Sequence, residues 1–137
     1  MAGEADDGTL SLTGWAVPEG LASLHALLEQ GREAHSEIDP EAFMMLETAV
    51  VELANNVVEH GRPRGELRWT FTLRVLPGLL EGVLADDGQE YDGDLDAAMP
   101  DPLAESGRGI ALAQAALDEL LLEREDGHNV WTMRRRY

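Results

Sequence analysis

The sequence predicts one α+β domain, and two patterns carry that expectation. Helix-period apolar stripes fall in three separate segments, and strand-period alternation falls in between and after them as two hairpins, each closed on a glycine turn. The 137 residues fit a domain of the usual size. A composition of 44% hydrophobic and 27% charged residues is that of a folded globular chain able to bury a core.

The elements follow in order. Residues 1–8 are expected to be a disordered tail, and residues 9–137 the domain. Thr9 to Val17 alternates weakly and suits a first strand at a sheet edge. Pro18-Glu19 opens a helix, because proline is accepted in the first turn and an acid there meets the positive end of the dipole. Leu21, Leu24, Leu27 and Leu28 give its apolar stripe, which runs to about Ser36. Asp39-Pro40-Glu41 starts a second helix, with Asp39 as N-cap. Phe43, Leu46, Val50, Leu53 and Val57 mark its buried face, and Gly61 and Pro63 end it. Glu66–Val75 and Leu79–Ala85 make a hairpin around Pro77-Gly78. Residues 86–106 read as a loop rich in Asp, Gly and Pro, and a loop this long in a compact domain is functional or mobile. Gly109 to Leu120 is an apolar helix, and Leu120–Arg124 with Val130–Arg136 forms a last hairpin around Asp126-Gly127.

Composition excludes several classes. There is no cysteine, hence no disulfide framework and no thiolate site. No apolar run reaches the roughly 18–20 residues that cross a bilayer. The acidic start is not a signal peptide, so a cytoplasmic location is expected. The net charge is −17, and the 10 basic residues are all arginine. Such a surface opposes direct binding to nucleic acid, which needs cations to displace counterions. It suits a basic protein partner, or simply solubility.

Three motifs bear on chemistry. Glu52, Asn56 and His60 are spaced four apart within Glu52-Leu-Ala-Asn-Asn56-Val-Val-Glu-His60-Gly61 and share one helix stripe. Two adjacent asparagines are unusual inside a helix, since asparagine competes for backbone hydrogen bonds. A carboxylate and an amide oxygen one turn apart are hard donors of the kind Mg²⁺ accepts. Taken alone, the stripe also reads as a solvated polar face. Asp86-Asp87-Gly88 follows a buried strand, where a carboxylate can accept from an exocyclic amine; alone, it is equally a plain turn. Ser106-Gly107-Arg108-Gly109-Ile110 opens a helix whose free N–H groups and dipole favour an anion. It has neither Walker A nor Rossmann spacing. His60 beside Gly61 reads as a helix-end dipole partner more than as a base.

In this order the motifs resemble the N, G1 and G2 boxes of the GHKL ATPase superfamily, and more narrowly the anti-sigma factor serine/threonine protein kinases. Glu52…Asn56…His60, Leu84-Ala-Asp86-Asp-Gly88 and Gly107-Arg-Gly109-Ile-Ala-Leu112 carry the likeness, which spans residues 9–136. The resemblance implies the GHKL (Bergerat) fold: an α/β two-layer sandwich with a mixed, mainly antiparallel sheet and helices on one face. It implies ATP and Mg²⁺ as cofactors. Asn56 would be the metal ligand, and Glu52 the catalytic carboxylate that activates an attacking hydroxyl. Asp86 would bind the adenine amino group with Gly88 allowing close approach. Gly107 and Gly109 would offer N–H groups to the phosphates, Arg108 a charge, and residues 93–105 a lid over the nucleotide. The implied activity is phosphorylation of a serine on an anti-anti-sigma (STAS-type) partner, with sequestration of a sigma factor and a homodimeric state. The length matches the kinase domain alone, without histidine-kinase dimerisation helices.

Three departures from the family pattern keep a second reading open. Glu90 stands where a second glycine is usual, and no lysine is present to meet phosphate. The Gly-Thr-x-Val signature, whose threonine lies near the phosphates, becomes Gly127-His128-Asn129-Val130, with Asn129 as the substitute. The alternatives are a catalytically weak or inactive nucleotide-binding, partner-sequestering module of the same fold, or a histidine-kinase-type ATPase domain.

Overall fold

The computed structural model describes residues 2–4, 9–16, 18–60, 68–88, 90 and 108–137. Six strands form one sheet: β1 (Ala2–Glu4), β2 (Thr9–Trp15), β3 (Arg68–Leu76), β4 (Leu79–Asp86), β5 (Glu119–Glu125) and β6 (His128–Arg136). Their order across the sheet is β1-β2-β3-β4-β6-β5, and every described pairing is antiparallel. Among the described residues the helices are α1 (Pro18–Ala34), α2 (Pro40–His60) and α3 (Arg108–Ala116).

Strand alternation decides where the helices lie. Leu10 and Leu12 of β2, Trp69, Phe71 and Leu73 of β3, Leu80 and Leu84 of β4, and Trp131 and Met133 of β6 are all buried. Register puts most of them opposite one another: Leu12 pairs with Phe71, Phe71 with Leu84, and Leu84 with Trp131. Antiparallel partners share a face, so one face carries the apolar set. The helices cover that face with Leu24, Leu27 and Leu28 of α1, and with Phe43, Leu46, Val50, Leu53 and Val57 of α2, all within the same core. Each fully buried side chain of this size contributes about 1.5–3 kcal/mol. The result is the two-layer α+β sandwich, with helices on one face, that the sequence implies.

The other face carries a row of charged residues. Arg74, Glu81, Arg134 and Glu119 form one cross-strand row. Glu81 accepts from Arg74 Nη1 at 3.2 Å and Arg134 Nε at 2.9 Å, and Arg134 also reaches Glu119. Those two carboxylates, Glu81 first, raise the Arg134 guanidinium above its already high ordinary value.

Local signals are realised as chemistry predicts. Asp39 Oδ1 accepts the Glu41 backbone N–H at 3.2 Å, the N-cap bond of α2. Gly78 (φ 71°) takes the left-handed position after Pro77, the positive φ that a type II turn places at its second corner. Asp126 and Gly127 both have positive φ, the geometry of a two-residue hairpin turn.

Two boundaries differ from expectation. Residues 2–4 of the expected tail form a short strand paired with Leu10–Leu12 of β2. The last helix stops at Ala116 rather than Leu120. Asp118 N donates to Arg134 O at 2.9 Å, and Asp118 Oδ2 accepts from Arg136 N at 2.6 Å, so Asp118 is already bonded to β6. Arg135 Nη1 donates to Ala116 O at 3.3 Å, satisfying a terminal carbonyl of α3.

Candidate functional site

Asp86 ends β4 on the inward face, beside the helix layer, because its partner in β3 is the buried Trp69 and its partner in β6 is the buried Asn129. Only 1% of it is exposed. Such a carboxylate is tolerated only when hydrogen-bonded. Its Oδ1 accepts from Gly88 N and from Asn129 Nδ2, both at 3.0 Å. Its Oδ2 accepts from Trp131 Nε1 at 3.3 Å. All three donors come from this chain, so the group is presented as an acceptor.

Asn129 is itself held from outside. Arg124 Nη1 donates to Asn129 Oδ1 at 3.0 Å and to Gly88 O at 2.9 Å. The structure thus joins Asp86, Gly88 and Asn129, three residues singled out from sequence. The Asn129 side chain bonds the Asp86 carboxylate. Hairpin register explains this, since Asn129 lies directly opposite Asp86 in the β4–β6 ladder. Asp87, by contrast, points to the exposed side and accepts the Arg68 N–H at 2.9 Å, closing the end of β3. Glu90 is exposed.

A second group forms where α2 packs on α3. A Cβ on Gly109 would stand 3.0 Å from Glu52 Oε2 and 3.5 Å from Glu52 O. Glycine is therefore what lets the first turn of α3 sit against the Glu52 carboxylate. Glu52 and Asn56 are both half-buried, one turn apart on α2. Arg108 starts α3, while Gly107 and the expected lid, residues 93–105, lie outside the described residues. His60 closes α2. Among the described residues no group of three or more His, Asp or Glu gathers as a metal cluster.

Sequence reasoning missed Arg124 and Trp131. Arg124 was legible in principle: a two-residue turn at 126–127 sets residue 124 opposite 129. Trp131 reads as core, and only the sheet shows that its indole N–H faces a carboxylate.

The family described as the histidine kinase-like ATPase domain matches residues 15–135. A solved structure of the RsbU and RsbW domains of a Mycobacterium tuberculosis protein aligns at 21% identity with TM-score 0.65, over 93% of this chain and 32% of that one. The histidine kinase domain of a blue-light activated histidine kinase from Erythrobacter litoralis aligns at 17% identity with TM-score 0.58, over 82% of this chain and 60% of that one. The chain thus spans about a third and three fifths of those two structures. No curated protein matches it. No described helix is long and apolar enough to cross a membrane.

Proposed function

This chain belongs to the histidine kinase-like ATPase domain family, and we propose that within it the protein acts as an anti-sigma factor serine/threonine kinase. In this reading it binds Mg·ATP, phosphorylates a serine of an anti-anti-sigma (STAS-type) partner and sequesters a sigma factor in the cytoplasm, as a homodimer. The observation that carries the nucleotide part is the buried Asp86 carboxylate, saturated on Oδ1 and left with an acceptor position on Oδ2. Such a group fits an exocyclic amine. The Glu52–Gly109 contact supports the phosphate part, because it sets α2's oxygen donors beside the N-terminal turn of α3.

The residues present fit the implied cofactors. Asp86 and Gly88 would hold the adenine end. Gly107, Arg108 and Gly109 would meet the phosphates, and Asn56 would be an oxygen donor to Mg²⁺. The metal's chemistry there is to neutralise phosphate charge. Glu52 would accept the proton of the attacking hydroxyl. The nucleophile belongs to the partner, so none is required of this chain. A surface of net charge −17 is complementary to a basic, DNA-binding partner.

The RsbW domain in one of the similar structures supports the partner-switching side of this reading. A second reading keeps fold and partner but drops phosphoryl transfer. Asn129 favours it, because a carboxamide replaces the family's threonine.

Calorimetry with Mg·ATP tests the first step. Wild type should bind, and Asn56→Ala should lose at least about tenfold, one charge-assisted contact's worth. Wild type that binds no nucleotide would refute the ATP reading. Labelled ATP with a candidate anti-anti-sigma protein then tests transfer: no phosphoserine on any cognate partner leaves only the binding module.

A further inference from the structure

A groove of about 490 Å³ lies between α1 and the end of β2. Leu12, Leu27 and Trp69, all buried, make its apolar floor. Glycines create the space over it. Gly14 stands directly opposite Trp69 in the β2–β3 ladder and shares its inward face. A Cβ on Gly14 would meet one atom beyond its own neighbours, Trp69 Nε1 at 3.9 Å. Gly20 lies over the same edge of the indole: a Cβ there would fall 3.2 Å from Trp69 Cζ2 and 2.1 Å from Trp15 O. Glycine at this position lets α1 start against the end of β2. Trp69 is 1% exposed, and no acceptor among the described residues reaches its Nε1. Trp131, by contrast, gives its N–H to Asp86. A buried donor nearly always has a partner, because leaving it without one is costly.

We propose that this groove binds a small, neutral, largely apolar molecule whose carbonyl oxygen accepts the Trp69 Nε1–H. Each part of that description has a physical reason. The floor is hydrocarbon and aromatic ring, and the volume falls within the roughly 300–1,000 Å³ of small-molecule sites. The buried polar atom over which the glycines leave room is an uncharged donor, so it selects an acceptor and fixes its orientation. Glu19 stands on the rim and the chain carries a net charge of −17, so an anion is disfavoured. The groove is separate from the Asp86 site. Trp69 stands between them in the sheet, paired with Gly14 on one side and with Asp86 on the other. The donors to Asp86, from Gly88, Asn129 and Trp131, do not line the groove. The inference therefore does not rest on the ATP reading.

Camphor, a compact apolar cage with one ketone oxygen, is the probe. Nitrogen–proton correlation spectra of the full chain resolve the indole N–H signals of its three tryptophans. Camphor should bind saturably and move the Trp69 Nε1–H signal downfield, as a newly formed hydrogen bond requires, while Trp131 stays in place. Camphor-10-sulfonate, the same cage with a negative charge, should bind more weakly. Two variants fill the groove from opposite sides. Gly14→Val suits a strand, and its Cβ meets Trp69 Nε1 at an ordinary contact distance. Ala26→Leu enters from an exposed position of α1. Each, shown to be folded by circular dichroism, should weaken camphor at least about tenfold. No saturable binding, or binding without a shift of Trp69 Nε1–H, overturns the inference. So does a folded variant that binds camphor as wild type does, and equal binding of the sulfonate overturns the neutral class. Affinity that falls as protein concentration rises means that a second copy fills the groove, which also overturns it. Displacement of camphor by Mg·ATP would merge the groove with the nucleotide site, overturning this inference while leaving the ATP reading intact.

Discussion

Replacing Asp86 by asparagine changes almost no volume but breaks the hydrogen-bond count. The amide oxygen can keep the Oδ1 position and accept from Gly88 N and Asn129 Nδ2. The amide nitrogen then occupies the Oδ2 position and faces Trp131 Nε1, a donor against a donor. Trp131 is 1% exposed, so water cannot substitute. An unsatisfied buried donor costs about 1–3 kcal/mol. The two surviving bonds also fall from charge-assisted to neutral strength, partly offset because a buried charge is gone. The net expectation is about 2–3 kcal/mol of lost stability, a large part of the roughly 5–15 kcal/mol of a typical domain. In thermal unfolding this corresponds to a fall of roughly 6–12 °C. Urea titration monitored by tryptophan fluorescence measures it directly. Asp87→Asn is the control: Asp87 is exposed and needs only one acceptor for the Arg68 N–H, so its variant should stay within about 0.5 kcal/mol of wild type. If Asp86→Asn is as stable as Asp87→Asn, the account of Asp86 as a buried acceptor held by three donors is wrong.

Gly109→Ala should separate stability from activity. The new methyl would crowd the mobile end of Glu52 at 3.0 Å, while alanine gains up to about 1 kcal/mol of helix propensity. Unfolding free energy should therefore move by less than about 1 kcal/mol, whereas phosphoryl transfer, if Glu52 is the base, should fall at least about tenfold; unaltered transfer in a folded variant contradicts that role. Asp39→Ala removes the N-cap bond to Glu41 N at 3.2 Å and should cost about 1 kcal/mol in urea unfolding without altering nucleotide affinity, since α2's capped end is a full 13 residues before Glu52.

Period and punctuation were enough for the elements. The α2 stripe from Phe43 to Val57, its Asp39 cap and the Pro77-Gly78 and Asp126-Gly127 turns are local features, favoured by local sterics and capping. The end of α3 was not legible in the same way. Leu117 to Leu122 carries apolar residues compatible with either a helix or a strand, and the decision lies with β6, whose backbone captures Asp118.

The site divides along the same line. Glu52 and Asn56 on one stripe, Asp86 before a glycine, and Gly109 at a helix start follow from spacing alone, and their succession along the chain resembles one family. Spacing says nothing about which of two acceptor atoms a donor reaches. The pairing of β4 with β6 set Asn129 on Asp86, and the pairing of β5 with β6 brought Arg124 to Asn129. Helix packing alone turned Gly109 into the position that Glu52 fills. A residue's chemistry travels with its identity, but the polarity of a hydrogen-bond network belongs to the partners that long-range pairing supplies.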